Sequence, residues 1–139
     1  MRISAKRAAI LLLPLWLAAC GGGSDRGISF TDDQGVANQP FPTNYKPELL
    51  AFLRTYINNP VGIRDAAMAE PVQRTVGGRL RYVSCVRYTP KDMDGRYTAP
   101  QERAVSYVDA RLDRVIDNVA EVCAGANYAA FPEMEKMVR

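Results

Sequence analysis

The chain has 139 residues, with 18 Lys+Arg against 15 Asp+Glu and no histidine. The missing imidazole excludes Ser-His-Asp and Cys-His catalysis, His-built zinc sites and a protonation switch near neutral pH. Arg2, Lys6 and Arg7 account for the formal +3 and stand at the extreme N-terminus without an acid, so the remainder is charge-balanced and no nucleic-acid partner is expected.

Behind those three cations, residues 8–16 form an apolar run broken only by Pro14. It is far shorter than the roughly 20 residues needed to span a bilayer, so it reads as a secretory signal peptide. Leu17-Ala18-Ala19-Cys20 closes it, and Gly21-Gly22-Gly23-Ser24 follows. This stretch resembles the lipobox of bacterial lipoproteins. The resemblance implies lipidation of the Cys20 sulfur, cleavage before Cys20 and acylation (palmitate) of the new amine. One acyl chain holds a protein to a membrane only marginally, whereas two or more anchor it stably. In Gram-negative lipoproteins of this type an Asp at the next position retains the protein at the inner membrane. Gly21 therefore implies the outer membrane, with the protein lipid-anchored on its periplasmic face. The expected organisation is a signal peptide over residues 1–19, a flexible tether over 20–43 and one periplasmic domain over 44–139. The tether is rich in Gly, Asp, Gln, Asn, Pro and Thr and has no hydrophobic period. Phe30 and Phe41 are its candidates for local docking.

In "NYKPELLAFLRTYINNP", Leu49, Phe52, Leu53, Tyr56 and Ile57 fall on one helical face. Asn44 stands at the capping position, Glu48 in the positive first turn, and Asn58-Asn59-Pro60 at the stop. "GIRDAAMAEPVQRTV" fits either a helical turn at 64–69 or a strand; the balance favours an irregular edge strand over 65–76, because Pro71 bars a central position. It turns at Gly77-Gly78. "GRLRYVSCVRYTP" alternates as a strand, with Leu80, Tyr82, Ser84, Val86 and Tyr88 on one face and Arg79, Arg81, Val83, Cys85 and Arg87 on the other. "KDMDGRYTAPQ" is a loop with a turn at Asp94-Gly95.

Residues 104–116 support two structures. Val105, Val108, Leu112, Val115, Val119 and Val122 make a helical stripe. Equally, 105–108 and 112–116 are β-rich runs joined by a turn at Asp109-Ala110-Arg111. "YINNPVGIRDAAMAEP", "RYVSCVRY", "GRYTAPQER", "DARLDRVID" and "CAGANYAAFPEMEK" resemble a group of small uncharacterised Gram-negative bacterial lipoproteins over residues 44–136. In that group Gly often stands where this chain has Ala110, which favours the hairpin. The resemblance implies no activity. The tail places Tyr128, Phe131 and Met134 three apart, as an arm packing back on the domain.

With Cys20 acylated, Cys85 and Cys123 form an even pair in an oxidising compartment and predict a disulfide. The rival readings are two free buried thiols or, without a C-x-x-C, a redox pair. The expected fold is α+β: one N-terminal amphipathic helix packed on a small antiparallel sheet of three to four strands, stapled by that disulfide.

No cofactor, metal site or catalytic constellation is expected. Asp92-x-Asp94-Gly95 lacks the remaining ligands of a calcium loop and reads as a turn. Ser84 and Ser106 have no Ser-x-x-Lys spacing to activate them. Asp109, Asp113 and Asp117 mark no cleft. Arg79, Arg81 and Arg87 are candidate anion-binding residues, since guanidiniums suit phosphate and carboxylate. The expected role is a non-enzymatic envelope binding or assembly accessory meeting a protein or glycan. The alternatives are an envelope enzyme using carboxylates only and an inhibitor of a lytic enzyme.

Overall fold

The computed structural model describes residues 38–139; the leader, the lipobox with Cys20 and Phe30 lie outside them. The fold is α+β, built on one antiparallel five-stranded sheet. In chain order the elements are α1 Tyr45–Tyr56, β1 Arg64–Val76, β2 Arg79–Thr89, β3 Gln101–Val108, β4 Arg111–Ile116, α2 Val119–Val122, β5 Tyr128–Ala130 and α3 Pro132–Glu135. The spatial order is β4-β3-β2-β1-β5. Among the described residues no helix is long and apolar enough to cross a membrane.

The sheet has five strands where three to four were expected. The addition is β5, which pairs Tyr128, Ala129 and Ala130 with Ala69, Met68 and Ala67 of β1. So short a run carries no alternation of its own; the open edge of β1 supplies its structure. Pro71 falls where the β1–β2 register shifts, between Ala69 and Val72, and β5 stops at Ala69. The strand is therefore not the edge strand expected, since β5 covers it over Ala67–Ala69, but Pro71, without an N–H, occupies a bulge on the stretch of β1 that pairs on one side only.

Residues 104–116 form the hairpin. Val108 pairs with Arg111 across Asp109 and Ala110, whose φ angles are 49° and 61°. Two left-handed central residues define a type I′ turn, the one whose twist matches antiparallel strands. Gly77 and Gly78, with φ of 55° and 76°, do the same between β1 and β2.

Both sheet faces are covered. On one, Leu49 and Leu53 of α1 pack with Val86, Tyr88, Val105, Tyr107, Phe131 and Met134. Both leucines are fully buried, together worth about 4–6 kcal/mol as an upper bound. Ile57 is also buried, whereas Tyr56 is 44% exposed and lies at the rim of the helix face. Asn44 precedes the helix but its side chain makes no capping bond. Glu48 does more than face the helix terminus. Its Oε2 accepts from the Leu112 N–H at 2.7 Å and its Oε1 from Arg111 Nε at 2.8 Å, fixing α1 to β4.

On the other face, Val83, Cys85, Ala104 and Ile116 pack with Val122 and Cys123. The Cys85–Cys123 disulfide is formed, across a sequence separation of 38. It holds α2 to the central strand. The tail docks as an arm: the Phe131 N–H donates to the Ala66 carbonyl at 2.9 Å and Glu135 Oε1 accepts from the Ala66 N–H at 3.0 Å. Phe131, Met134 and Met137 are buried. Packed structure begins earlier than the expected tether boundary at residue 43. Gln39 and Pro42 are buried, and the Phe41 ring meets Tyr82 edge-on with centroids 5.3 Å apart.

Candidate functional site

The three arginines singled out in the sequence do not converge. Arg79 is exposed and Arg81 is buried, with Nη1 donating to the Leu80 carbonyl. Arg87 lies six residues beyond Arg81, about 20 Å along the strand. Its guanidinium covers the Tyr128 ring at 3.9 Å and faces Glu102 Oε1 at 3.5 Å. Tyr128 in turn donates to Glu102. Burial and that carboxylate push the Tyr128 phenol well above its ordinary range. Cys85 and Cys123 are consumed by their disulfide. The Asp92–Gly95 segment is a turn: Asp92 Oδ1 accepts from the Asp94 and Arg96 N–H groups at 2.9 and 2.8 Å.

A different group of residues builds a cleft of about 620 Å³ at the C-terminal end of α1, a volume within the ~300–1,000 Å³ range of small-molecule sites. Its floor comes from the central strands, through Tyr88 of β2 and Arg103 of β3; its walls come from Tyr56 at the end of α1, from Asn58 just after it and from Lys91 and Met93 in the β2–β3 loop.

Donors dominate this cleft. Arg103 Nη1 donates to the Glu102 carbonyl at 2.8 Å and Nη2 to Gln101 Oε1 at 2.9 Å, while its Nε is buried without an acceptor. Among the described residues no carboxylate pairs with Arg103 or with Lys91. The Tyr88 side chain is 3% exposed. Burial raises its phenol above the ordinary value, the Arg103 charge draws it part of the way back, and neighbouring Tyr56 raises it. Tyr88 is therefore a neutral donor at any physiological pH. Asp92 is the one carboxylate among the described lining residues, and its own turn and Arg96 occupy it.

The walls are pinned together. Asn59 Nδ2 donates to the Asp92 carbonyl at 3.1 Å, and the Tyr97 hydroxyl donates to the Gly62 carbonyl at 2.9 Å. Lys91 bridges to Tyr97 across the loop, and its Nζ lies 5.0 Å from the Tyr97 ring centroid. Gly62 has φ of 72°, and a Cβ there would come within 3.1 Å of Lys91 Cε and Nζ. The glycine thus provides both a left-handed turn and room for the lysine.

Sequence reasoning passed over Tyr88, Lys91 and Arg103. One signal was present: in β3, Arg103 alternates with Val105 and Tyr107 and so sits on the core-facing register. A charge there is unusual unless paired or functional. The cleft also lies away from where the chain enters the domain. Gln39 Oε1 accepts from the Asp109 N–H at the β3–β4 turn, beside the start of α1. The cleft is at the other end of this 12-residue helix, about 18 Å distant at 1.5 Å per residue.

No protein-family model, curated protein or solved structure matches the chain.

Proposed function

We propose that this chain is a lipid-anchored, non-enzymatic binding module on the periplasmic face of the bacterial outer membrane, tethered through acyl chains on Cys20. The observation that carries the reading is the Cys85–Cys123 bond. A structural disulfide suits an oxidising compartment, and pairing these two leaves Cys20, at the end of a short apolar leader, as the odd cysteine. The domain then hangs from a glycine-rich leash, with its cleft at the end remote from that leash.

Binding is favoured over carboxylate catalysis by how the acids are used. Glu48 holds β4, Asp92 its own turn, Glu102 Tyr128 and Arg87, Asp113 pairs with Arg114 at 2.9 Å, and Glu135 holds the Ala66 N–H of β1. A general acid and base must instead reach a substrate. The test is incorporation of an alkyne palmitate analogue in a Gram-negative host, followed by intact-mass analysis of the membrane-extracted chain. The expected product begins at Cys20, carries acyl chains and loses the label in Cys20→Ala. An unlabelled chain in the soluble fraction refutes the anchor.

A further inference from the structure

We propose that the cleft at the C-terminal end of α1 recognises a ligand through one carboxylate group, with Arg103 and Lys91 as its counter-charges and the Tyr88 hydroxyl as a hydrogen-bond donor. Three observations select this chemistry. First, the lining carries two cations and one acid, and that acid is already occupied, so the site favours an anion, and the planar guanidinium of Arg103 suits a carboxylate. Second, the cations are half-buried and, among the described residues, have no carboxylate of their own. Unpaired charge held partly out of water gains from an incoming anion what exposed surface charge does not. Third, Tyr56, Ile57, Met93 and the ring of Tyr88 give the cleft an apolar side, which suits the body of a ligand larger than a bare anion.

The fold keeps these groups in place before any ligand arrives. Tyr88 and Arg103 stand on the two central strands, and the loops are tied by Asn59–Asp92 and Tyr97–Gly62. Little ordering remains to be done on binding, and low ordering cost is what allows a small site to hold a small acid. Two sources of such a carboxylate have the right size: the C-terminus of a short peptide and the acid group of a sugar.

This inference rests on the binding-module reading but not on the anchor. The experiment is isothermal titration calorimetry of the purified full chain in mild detergent. N-acetyl-Ala-Ala is compared with its C-terminal amide, and glucuronic acid with glucose. At least one acid is expected to bind about tenfold or more tightly than its neutral partner, with affinity falling as salt is raised. The tighter acid identifies the source as peptide or sugar. Lys91→Gln and Arg103→Gln are each expected to weaken the acid about tenfold, whereas Arg74→Gln, in the far β1–β2 hairpin, leaves it unchanged. Lys91 lies in a loop with its charge outside the core, so its variant keeps the test valid should Arg103→Gln fail to fold. Equal binding of acid and neutral partner, no binding of either acid at about 10 mM, or unaltered affinity in Lys91→Gln overturns the proposal. A chain that binds the acid but takes up no acyl label removes the anchor alone; the reverse removes this inference alone.

Discussion

Replacing Ala110 by glycine should stabilise the protein, and the sign of the effect separates the two structures that residues 104–116 allow on paper. In the hairpin Ala110 has φ of 61°. A left-handed conformation costs an L-residue about 1–2 kcal/mol, because Cβ crowds the following carbonyl. Glycine removes that cost but adds roughly 0.4–1 kcal/mol of freedom to the unfolded chain. The net expectation for Ala110→Gly is a gain of about 0.5–1 kcal/mol, or a rise of roughly 2–8 °C in Tm for a domain near 100 residues. In a helix the same change would cost about 1 kcal/mol. Gly78→Ala is the converse case. Its φ is 76° and nothing lies within 4 Å of an added Cβ, so only the backbone term acts; about 1 kcal/mol should be lost. Urea and thermal unfolding followed by far-UV circular dichroism measure both. A Tm that falls in Ala110→Gly refutes the type I′ turn and returns the segment to a helix.

Glu48→Ala should cost about 2–3 kcal/mol, since two charge-assisted bonds from β4 are lost and the Leu112 N–H is left without its acceptor; a change under about 0.5 kcal/mol in urea unfolding would contradict that role. Reducing the disulfide, or replacing Cys85 and Cys123 by Ala, frees a loop spanning 38 positions and should remove about 4 kcal/mol in the chain-entropy account. An unchanged urea midpoint after reduction refutes this. Tyr107→Phe removes a buried hydroxyl that faces Ser84 Oγ and so isolates the alkaline sensitivity of the core. Burial also holds the Tyr107 phenol far above its ordinary value of 10.0. The unfolded chain therefore releases that proton first, so stability is fully present below about pH 10 and declines as pH rises above it. Urea unfolding across that range should show a shallower decline in Tyr107→Phe; an equal decline would place the alkaline sensitivity elsewhere.

How much was legible in the chain divides along physical lines. Leu49, Leu53 and Ile57 declared α1 because their spacing matches a helical turn, and the burial follows it. The alternation around Ser84 declared β2, and both its faces proved to be packing faces. Pro71 announced irregularity, and the bulge is there. Two other features depended on contacts distant in sequence. β5 has no β-branched residue and is a strand only because β1 offers it an edge. The cleft gathers Tyr56, Tyr88, Lys91 and Arg103 from the end of a helix, two strands and a loop, and no spacing rule links them. The arginine cluster shows the converse. Arg79, Arg81 and Arg87 are close in sequence, but the extended strand spreads them and gives Arg87 to Tyr128 and Glu102.

The division of labour between the two sheet faces explains why recognition can sit at one end of so small a domain. About 100 residues give a modest core, and here it is split in two by the sheet. The disulfide reinforces the face that has only the short α2 to cover it. The opposite face, covered by α1, can then carry groups that weaken a core: the unpartnered Ser84, Tyr107 and Arg103 atoms all stand on strand positions that alternate toward α1. Each such group costs about 1–3 kcal/mol. Ser84 and Tyr107 lie deep, whereas Arg103 lies where the cleft opens. Among these three the guanidinium alone borders space that a ligand can fill, and so it is the one whose cost a bound carboxylate would offset.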